Sequence, residues 1–377
     1  MTTQRISKLR QYLADGGIDA LYCRSTTDIA WLTGVSGVFD TEQAHMALIS
    51  PQDALVHTDS RYSHALRCAL ESEVGIWQVD DSRVSHARCA LERVALLGKG
   101  QNCEAGSWEC APIMGIDLGL TLGEYRQLEK ESAGQVQFLE TSNVVLNLRS
   151  VKDEAEIAAM ERAQHITDAA FAHMAQWMRP GMTERQVARE LDRTMMEFGA
   201  QGLAFDTIVA TGPNAANPHH VSDDTRLEPG HLVVMDFGAR LAGYCSDMTR
   251  CVSVGEPDEY TQNVYEAVRF ANETVEARLS VGMRGIDAHT LAEECLASRG
   301  FAGRMGHGLG HGVGLDIHEE PCLNLRNQSP LVAGNVVTVE PGVYVPGRIG
   351  CRLEDFGVVT PGGFHVFTQT SHELVII

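Results

Sequence analysis

The chain has 377 residues, of which 44% are hydrophobic and 21% charged, a composition typical of globular proteins and not of disordered ones. Its 30 basic and 50 acidic residues give a formal net charge of −20, which argues against nucleic acid and anionic membrane surfaces as partners. The length is long for one hydrophobic core and suits two domains.

The N-terminal part begins with a helix and then alternates helices with short strands. Residues 6–13 have helical period with charges throughout, so they lack the apolar segment of a signal peptide. No apolar run approaches the roughly 18 residues of a membrane span, and we expect a cytoplasmic protein. Strands are predicted at residues 19–23, 46–49 and 54–58. This alternation predicts a three-layer α/β domain over residues 1–140.

Longer helices begin beyond a boundary near residues 140–150. A helix with apolar side chains at helical spacing is predicted over residues 157–177. Thr183, followed three positions later by Gln186, is a capping-box pattern that predicts the start of the next helix. Gly199 is predicted to end that helix.

The same arrangement returns further along the chain. A second long helix is predicted over residues 258–279, followed by Gly282-Met283 and a helix that ends at Gly300. The counterparts of these last three residues are Gly181, Met182 and Gly199, each 101 positions earlier. The repeat predicts two related halves with pseudo-twofold symmetry, and a site at the seam between them.

Strand-like segments lie between and after these helices. They are residues 232–237, 244–254, 335–339, 351–359 and 367–377. The first two are predicted to pair as a hairpin across Gly243. Together with the helices they predict an α+β domain over residues 150–377, in which helices cover one face of a curved, mostly antiparallel sheet.

Ten cysteines are scattered along the chain, and no two have the CxxC spacing of a metal or redox motif. They are Cys23, Cys68, Cys89, Cys103, Cys110, Cys245, Cys251, Cys295, Cys322 and Cys351. In an intracellular chain of this length we expect free thiols in or near the core.

Four acidic residues occupy segments that otherwise favour burial. Asp236 follows Leu-Val-Val-Met, Glu340 follows Val-Val-Thr-Val, Asp247 lies on the second strand of the hairpin, and Glu354 lies in the predicted strand 351–359. A buried carboxylate must be paired, protonated or bound to metal. Four in one pocket need strong counter-charge, which two divalent cations would supply.

Histidines provide the nitrogen ligand and further polar groups. His307, His311 and His318 lie among glycines that permit close backbone approach, and His219-His220 follow Asn-Pro. Oxygen-rich ligation with one imidazole is typical of Mn, Co or Zn in a non-structural site. Each feature alone has an ordinary explanation: a turn acceptor, a glycine-rich loop, surface histidines or an Arg352–Glu354 ion pair. Only their combination indicates a metal site.

The combination resembles the pita-bread metallopeptidases of family M24, which include aminopeptidase P, prolidase and creatinase. The similar segments are residues 234–238, 244–250, 307–314, 318–321, 338–342 and 352–355, in the family's order. Residues 59–62 and 148–154 also resemble parts of the creatinase-type N-terminal domain and of the entry to the catalytic domain. The resemblance implies a C-terminal pita-bread fold preceded by that smaller domain.

The resemblance also implies a role for each site residue. Asp236 would bind one ion, Asp247 and Glu354 would bridge two, and His311 and Glu340 would complete the second. His219 would contact substrate, His318 would steady the tetrahedral intermediate, and Arg352 would brace the site, with His307 outside the ligand set. The implied cofactors are two divalent ions, Mn²⁺ first, with Co²⁺ and Zn²⁺ as alternatives.

The implied activity is hydrolysis of Xaa-Pro bonds in small peptides with proline at the second position. Either a prolidase-type dipeptidase or an aminopeptidase P fits, with Glu340 as proton carrier and a homodimer as the assembly. Three alternatives stay open. Creatinase is a relative that works without metal and lacks the five ligands, and methionine aminopeptidase lacks a domain like residues 1–140. Non-enzymatic binding modules of this fold typically lose ligands.

Overall fold

A computed structural model describes residues 2–40, 42–71, 76–97 and 111–377. Contacts within the chain divide it into two compact units, Met1–Arg149 and Ser150–Ile377. Within the described ranges, no helix combines the length and the apolar character needed to cross a membrane.

The first unit is built on a six-stranded sheet with the strand order β4-β3-β2-β1-β5-β6. Its strands are β1 (Ala20–Cys23), β2 (Met46–Ile49), β3 (Ala54–His57), β4 (Trp77–Asp80), β5 (Ile113–Ile116) and β6 (Gln137–Glu140). Its helices are α1 (Thr2–Asp15), α2 (Thr26–Thr33), α3 (Ser63–Ala69), α4 (His86–Val94), α5 (Leu122–Ser132) and α6 (Val144–Arg149). The β1–β2 and β2–β3 pairs are antiparallel and the others parallel.

Helices cover both faces of this sheet. Tyr22, Leu48 and Met114 pack on one face against α4 and α5. The alternate strand residues, such as Leu21 and Ile49, are buried on the opposite face, where α2 lies against β2 and contacts α1 and α6. The three-layer α/β prediction is confirmed, and its three strands lie within one residue of their predicted bounds.

The second unit contains two pairs of long and shorter helices. They are α7 (Glu154–Trp177), α8 (Glu184–Glu197), α9 (Glu259–Glu276) and α10 (Gly285–Ser298), with a 3₁₀ turn at Gly212–Ala216. Thr183 caps α8 and forms the predicted capping box with Gln186. Gly199 and Gly300 follow the shorter helices with positive φ angles of 105° and 90°, which suit glycine.

The strands of the second unit form four sheets. Its strands are β7 (Gly202–Leu203), β8 (Ile208–Thr211), β9 (Leu232–Phe237), β10 (Ala239–Leu241), β11 (Tyr244–Cys245), β12 (Met248–Ser253), β13 (Gly310–Gly312), β14 (Glu319–Leu323), β15 (Val336–Val339), β16 (Gly342–Val345), β17 (Ile349–Arg352), β18 (Asp355–Thr360), β19 (Gly363–Val366) and β20 (Val375–Ile376). The sheet orders are β20-β12-β9-β8, β14-β13-β15-β18-β19, β11-β10-β7 and β16-β17. Apart from β12–β20, the pairs in these sheets are antiparallel, as predicted.

Each helix pair packs on its own set of strands. Helices α7 and α8 bury apolar side chains against β9 and β12, and α9 and α10 bury theirs against β15 and β17. A bridge between Thr249 and Glu354 joins the β12 strand of one half to the chain between β17 and β18 of the other. The predicted pita-bread class with two halves is confirmed.

Three strand predictions were wrong in detail. Residues 351–359 form two strands in different sheets, because Glu354 leaves the ladder to bridge Thr249. Asp247 lies in the break between β11 and β12, not on a strand. In residues 367–377 only β20 is a strand, since the backbone N–H groups of residues 369 and 370 bond to Asp168 of α7 instead.

The cysteines in the described part of the chain are free, as expected. Cys103 and Cys110 lie outside the described residues. The remaining eight include Cys251 and Cys351, whose sulfur atoms are 3.9 Å apart in the core of the second unit.

Candidate metal centre

The five predicted ligand side chains converge in the second unit. Ligand atoms of Asp247, His311 and Glu354 all lie within 4.8 Å of one another. His311 Nε2 is 3.6 Å from Asp247 Oδ2 and 3.4 Å from Glu340 Oε1. Asp236 joins the group through Arg352, whose guanidinium donates to it and lies 3.9 Å from Glu340. We call these five residues the acidic cluster.

Strand pairing explains how distant segments meet there. Asp236 on β9 lies opposite Thr249 on β12, and Thr249 in turn bridges to Glu354. On the other side, the backbone N–H of His311 donates to Thr338 Oγ1 at 3.0 Å. Antiparallel pairing across both halves therefore places the cluster at the seam.

Glycine allows the histidine-bearing strand to approach its neighbours. A Cβ at Gly310 would overlap the carbonyl of Thr338, and one at Gly312 would overlap that of Glu320. The N–H of Glu340 donates to the Leu309 carbonyl at 2.8 Å, which fixes the chain just beyond β15. The glycine-rich segment is thus a close-packed part of the sheet, not a free loop.

Burial makes the carboxylates of the cluster hard to ionise. Desolvation raises the pKa of Glu340 to about 8, despite the opposing charge of Arg352. Desolvation and the neighbouring acids raise the pKa values of Asp247 and Glu354 well above their usual range. Burial also raises the pKa of Asp236, whose Oδ1 is buried with no hydrogen-bond partner. The positive charge of Arg352 is thus too small to keep all four acids ionised in this buried site.

His311 complements these acids as a neutral ligand candidate. Burial, followed by the charge of His318, lowers its pKa to about 4, so the ring is neutral at pH 7. Nδ1 faces the Gly312 carbonyl at 3.1 Å, which leaves Nε2 directed at the carboxylates. A neutral imidazole beside four carboxylates, one with an orphaned oxygen, fits divalent cations by its donor chemistry.

Arg352 is the buried cation of the site. It donates to Asp236, to Thr249 Oγ1 at 2.9 Å and to the Tyr344 hydroxyl at 3.1 Å. The neighbouring negative groups raise its pKa above the usual range although burial opposes this. One guanidinium facing four carboxyl groups still leaves the cluster short of positive charge, which further cations would balance.

His318 and His219 lie near the acidic cluster but are not among the five residues that form it. The ring of His318 meets that of His311 edge to face, with centroids 4.4 Å apart. Burial, followed by the charge of His219, lowers the pKa of His318. The charge of His219 is also among those that oppose the raised pKa of Asp236, so both rings are close to the acids. His219 is exposed and therefore open to a ligand.

His307 lies behind the cluster. Its Nε2 is 3.0 Å from the Tyr344 hydroxyl, the same group that accepts from Arg352. Its Nδ1 contacts the Gly308 carbonyl at 2.6 Å. Burial lowers its pKa to about 4. Tyr344 thus links His307 to Arg352 of the site.

Two threonines of the site were missed by the sequence analysis. Thr249 Oγ1 donates to Glu354 Oε2 at 2.7 Å, and Thr338 Oγ1 lies 3.4 Å from Glu340 Oε1. Each stands two positions from an acid of the cluster, Asp247 or Glu340. No local pattern marks either threonine in the sequence, because threonine is common in strands.

Comparison with known proteins gives matches along the whole chain. The model of metallopeptidase family M24 matches residues 158–361, and that of the creatinase/prolidase N-terminal domain matches residues 5–151. An uncharacterized peptidase of Bacillus subtilis is 34% identical over 99% of this chain and 100% of its own length.

Two solved structures are similar over nearly the full length. An Xaa-Pro dipeptidase from Bacillus anthracis has a TM-score of 0.89 at 33% identity, with 100% of both chains covered. An X-Pro aminopeptidase from Thermotoga maritima has a TM-score of 0.84 at 31% identity, covering 99% of this chain and 100% of that one.

Proposed function

Because the chain belongs to metallopeptidase family M24, we propose that it hydrolyses Xaa-Pro bonds in small peptides with two divalent metal ions. The proposed ligands are Asp236, Asp247, His311, Glu340 and Glu354. The observation that carries the proposal is the convergence of four carboxyl groups and a neutral imidazole in one buried site. Mn²⁺ is the proposed ion, with Co²⁺ and Zn²⁺ as alternatives.

The chemistry divides between the ions and the side chains. When bound, two divalent ions would activate a water and polarise the scissile carbonyl. Glu340 takes up the proton of the attacking water and delivers it to the leaving nitrogen.

The histidines and Arg352 act on the substrate and on the ligands. His318 and His219 donate hydrogen bonds to the oxygen that gains negative charge as the water attacks. Arg352 holds Asp236 directly and supports Glu354 through Thr249, which accepts from the guanidinium and donates to Glu354. The acids therefore keep their positions when the substrate enters.

A bond to proline suits this type of site. The nitrogen of an Xaa-Pro bond carries no hydrogen, so an enzyme that reads the scissile N–H has nothing to bind. Attack on a metal-polarised carbonyl does not need that hydrogen. The dipeptidase from Bacillus anthracis supports this specificity, and its full coverage at a TM-score of 0.89 favours a dipeptidase.

An aminopeptidase is the second candidate, favoured by the similarity to the X-Pro aminopeptidase from Thermotoga maritima. The two activities differ in whether the chain beyond proline is accepted. We further expect a cytoplasmic homodimer that acts on free peptides, with proline at the second position.

The test compares an Ala-Pro dipeptide with an Ala-Pro-Ala-Ala peptide, using protein loaded with Mn²⁺ or Co²⁺. Cleavage of the dipeptide alone is the expected result, and cleavage of the longer peptide identifies an aminopeptidase. Glu340→Gln should lose about 100-fold or more in kcat while remaining folded. Glu294→Gln, an exposed position on α10, is the matched control and should retain wild-type turnover.

Two results would contradict the proposal. One is the absence of Xaa-Pro cleavage by metal-loaded wild-type protein with any of the three ions. The other is wild-type turnover by Glu340→Gln, which would refute the proton-carrier role.

A further inference from the structure

The adjacent histidines 219 and 220 have different environments. His219 is exposed and lies near the acidic cluster. The side chain of His220 is only 14% exposed, and its Nε2 donates to Glu184 Oε2 at 2.7 Å. The sequence presents the two as a pair, but the structure gives them separate partners.

Glu184, the first residue of α8, is fully buried and accepts four hydrogen bonds from one segment. Its Oε1 accepts from the N–H of Thr211 at 2.8 Å and from Asn214 Nδ2 at 3.1 Å. Its Oε2 accepts from His220 and from the N–H of Asp223 at 3.1 Å. A single carboxylate thus binds the start, the middle and the end of residues 211–223.

These bonds leave Glu184 little capacity for a metal ion. Glu184, His220 and Asp223 also group as possible ligands. However, both oxygens of Glu184 already accept two hydrogen bonds each, and Asp223 Oδ1 accepts from the N–H of Thr225 at 2.7 Å. We call this arrangement a clamp, because the Glu184 carboxylate holds residues 211–223 together through four hydrogen bonds.

The base of the segment is fixed independently. A Cβ at Gly350 on β17 would overlap the carbonyl of Ala215, so the 3₁₀ turn lies directly on the strand that carries Arg352. At the other end, Ser222 Oγ accepts from the N–H of Val209 at 2.8 Å. Between these points lie residues 217–221, where the side chain of His220 reaches Glu184.

We propose that His220, clamped by Glu184, is a positioning residue that holds His219 over the acidic cluster. The inference rests on the proposed function, because His219 matters only if it contacts substrate. It adds a residue with no place in the ligand set or in the proton path. His220 acts on the reaction only through the placement of its neighbour.

A double-mutant cycle tests this role. His220→Ala should lower kcat/KM about 10-fold, while bound metal stays near that of wild type. In the His219→Ala variant, adding His220→Ala should not lower kcat/KM further, because the side chain that His220 positions is already absent. His220→Gln, which keeps an N–H donor for Glu184, should recover most of the loss. Val221→Ala, the exposed neighbour, is the matched control and should keep wild-type kcat/KM.

Hydrogen exchange of residues 217–222 separates this proposal from the proposed function. His220→Ala should speed exchange there about 10-fold whatever the substrate proves to be, and Val221→Ala should not. Unchanged exchange in His220→Ala would overturn the clamp. An equal loss of kcat/KM from His220→Ala with and without His219 would overturn the positioning role. A wild-type protein inactive on every Xaa-Pro peptide would overturn the proposed function alone.

Discussion

Metal binding by the acidic cluster should release protons. At pH 7, a carboxyl group with a pKa of about 8 is about 90% protonated, so Glu340 would lose about one proton when it binds a cation. Burial and the neighbouring acids also raise the pKa values of Asp247 and Glu354, so these two groups contribute to the release in the same direction. His311, with a pKa of about 4, is already neutral and adds none. The expected release is therefore at least about one proton at pH 7.

Isothermal titration of chelator-treated protein with Mn²⁺ at pH 7 measures this number. The observed enthalpy, plotted against the ionisation enthalpy of several buffers, has a negative slope whose magnitude equals the number of protons released to the buffer. Because protons leave on binding, affinity should rise with pH, by about tenfold per pH unit for each proton between pH 6 and 8. A slope of zero, with affinity independent of pH, would refute the electrostatic account of the cluster.

Three further predictions concern stability. Burial and the charge of Asp355 raise the pKa of Glu276 to about 9, so the folded protein loses stability as the pH rises from about 4.5 to 9. Glu276→Gln, which keeps this side chain neutral, should therefore stabilise the fold by about 1–3 kcal/mol at pH 8 and not at pH 4.5. Equal urea midpoints of the variant and the wild type at pH 8 would contradict this. Gly350→Ala should destabilise by about 3 kcal/mol in urea unfolding, because its Cβ meets the Ala215 backbone, and a loss below about 1 kcal/mol would disprove that contact. Lys152→Met should cost about 3–5 kcal/mol, since Lys152 Nζ lies 3.0 Å from Glu319 with both side chains 1% exposed. Arg88→Met, which breaks the exposed Arg88–Glu92 pair, should cost under about 1 kcal/mol, and similar losses for the two variants would argue against the buried pair.

Local patterns predicted the helices well. The start of α8 depends on Thr183 and Gln186, which lie three positions apart and form a capping box within the same turn. Such signals need no information about the rest of the fold. The end of β17 is different, because the sequence predicted one continuous strand over residues 351–359. The break at Glu354 depends on Thr249, 105 positions away, and no local pattern encodes that pairing.

The same distinction applies to the site. Asp236 and Glu340 were identifiable because an acid in a buried strand conflicts with its surroundings. Thr249 and Thr338 were not, because threonine is common in strands and raises no such conflict. The His220–Glu184 contact joins residues 36 positions apart, and Glu184 looks like an ordinary acid in the first turn of a helix.

The central claim is a two-ion hydrolytic centre for Xaa-Pro bonds, and a single titration tests it most directly. Chelator-treated protein is titrated with Mn²⁺ while cleavage of an Ala-Pro dipeptide and an Ala-Ala dipeptide is followed. The account predicts no cleavage without metal, a plateau at two ions per chain, and a strong preference for Ala-Pro. Cleavage by the metal-free protein, or a plateau at one ion, would contradict it.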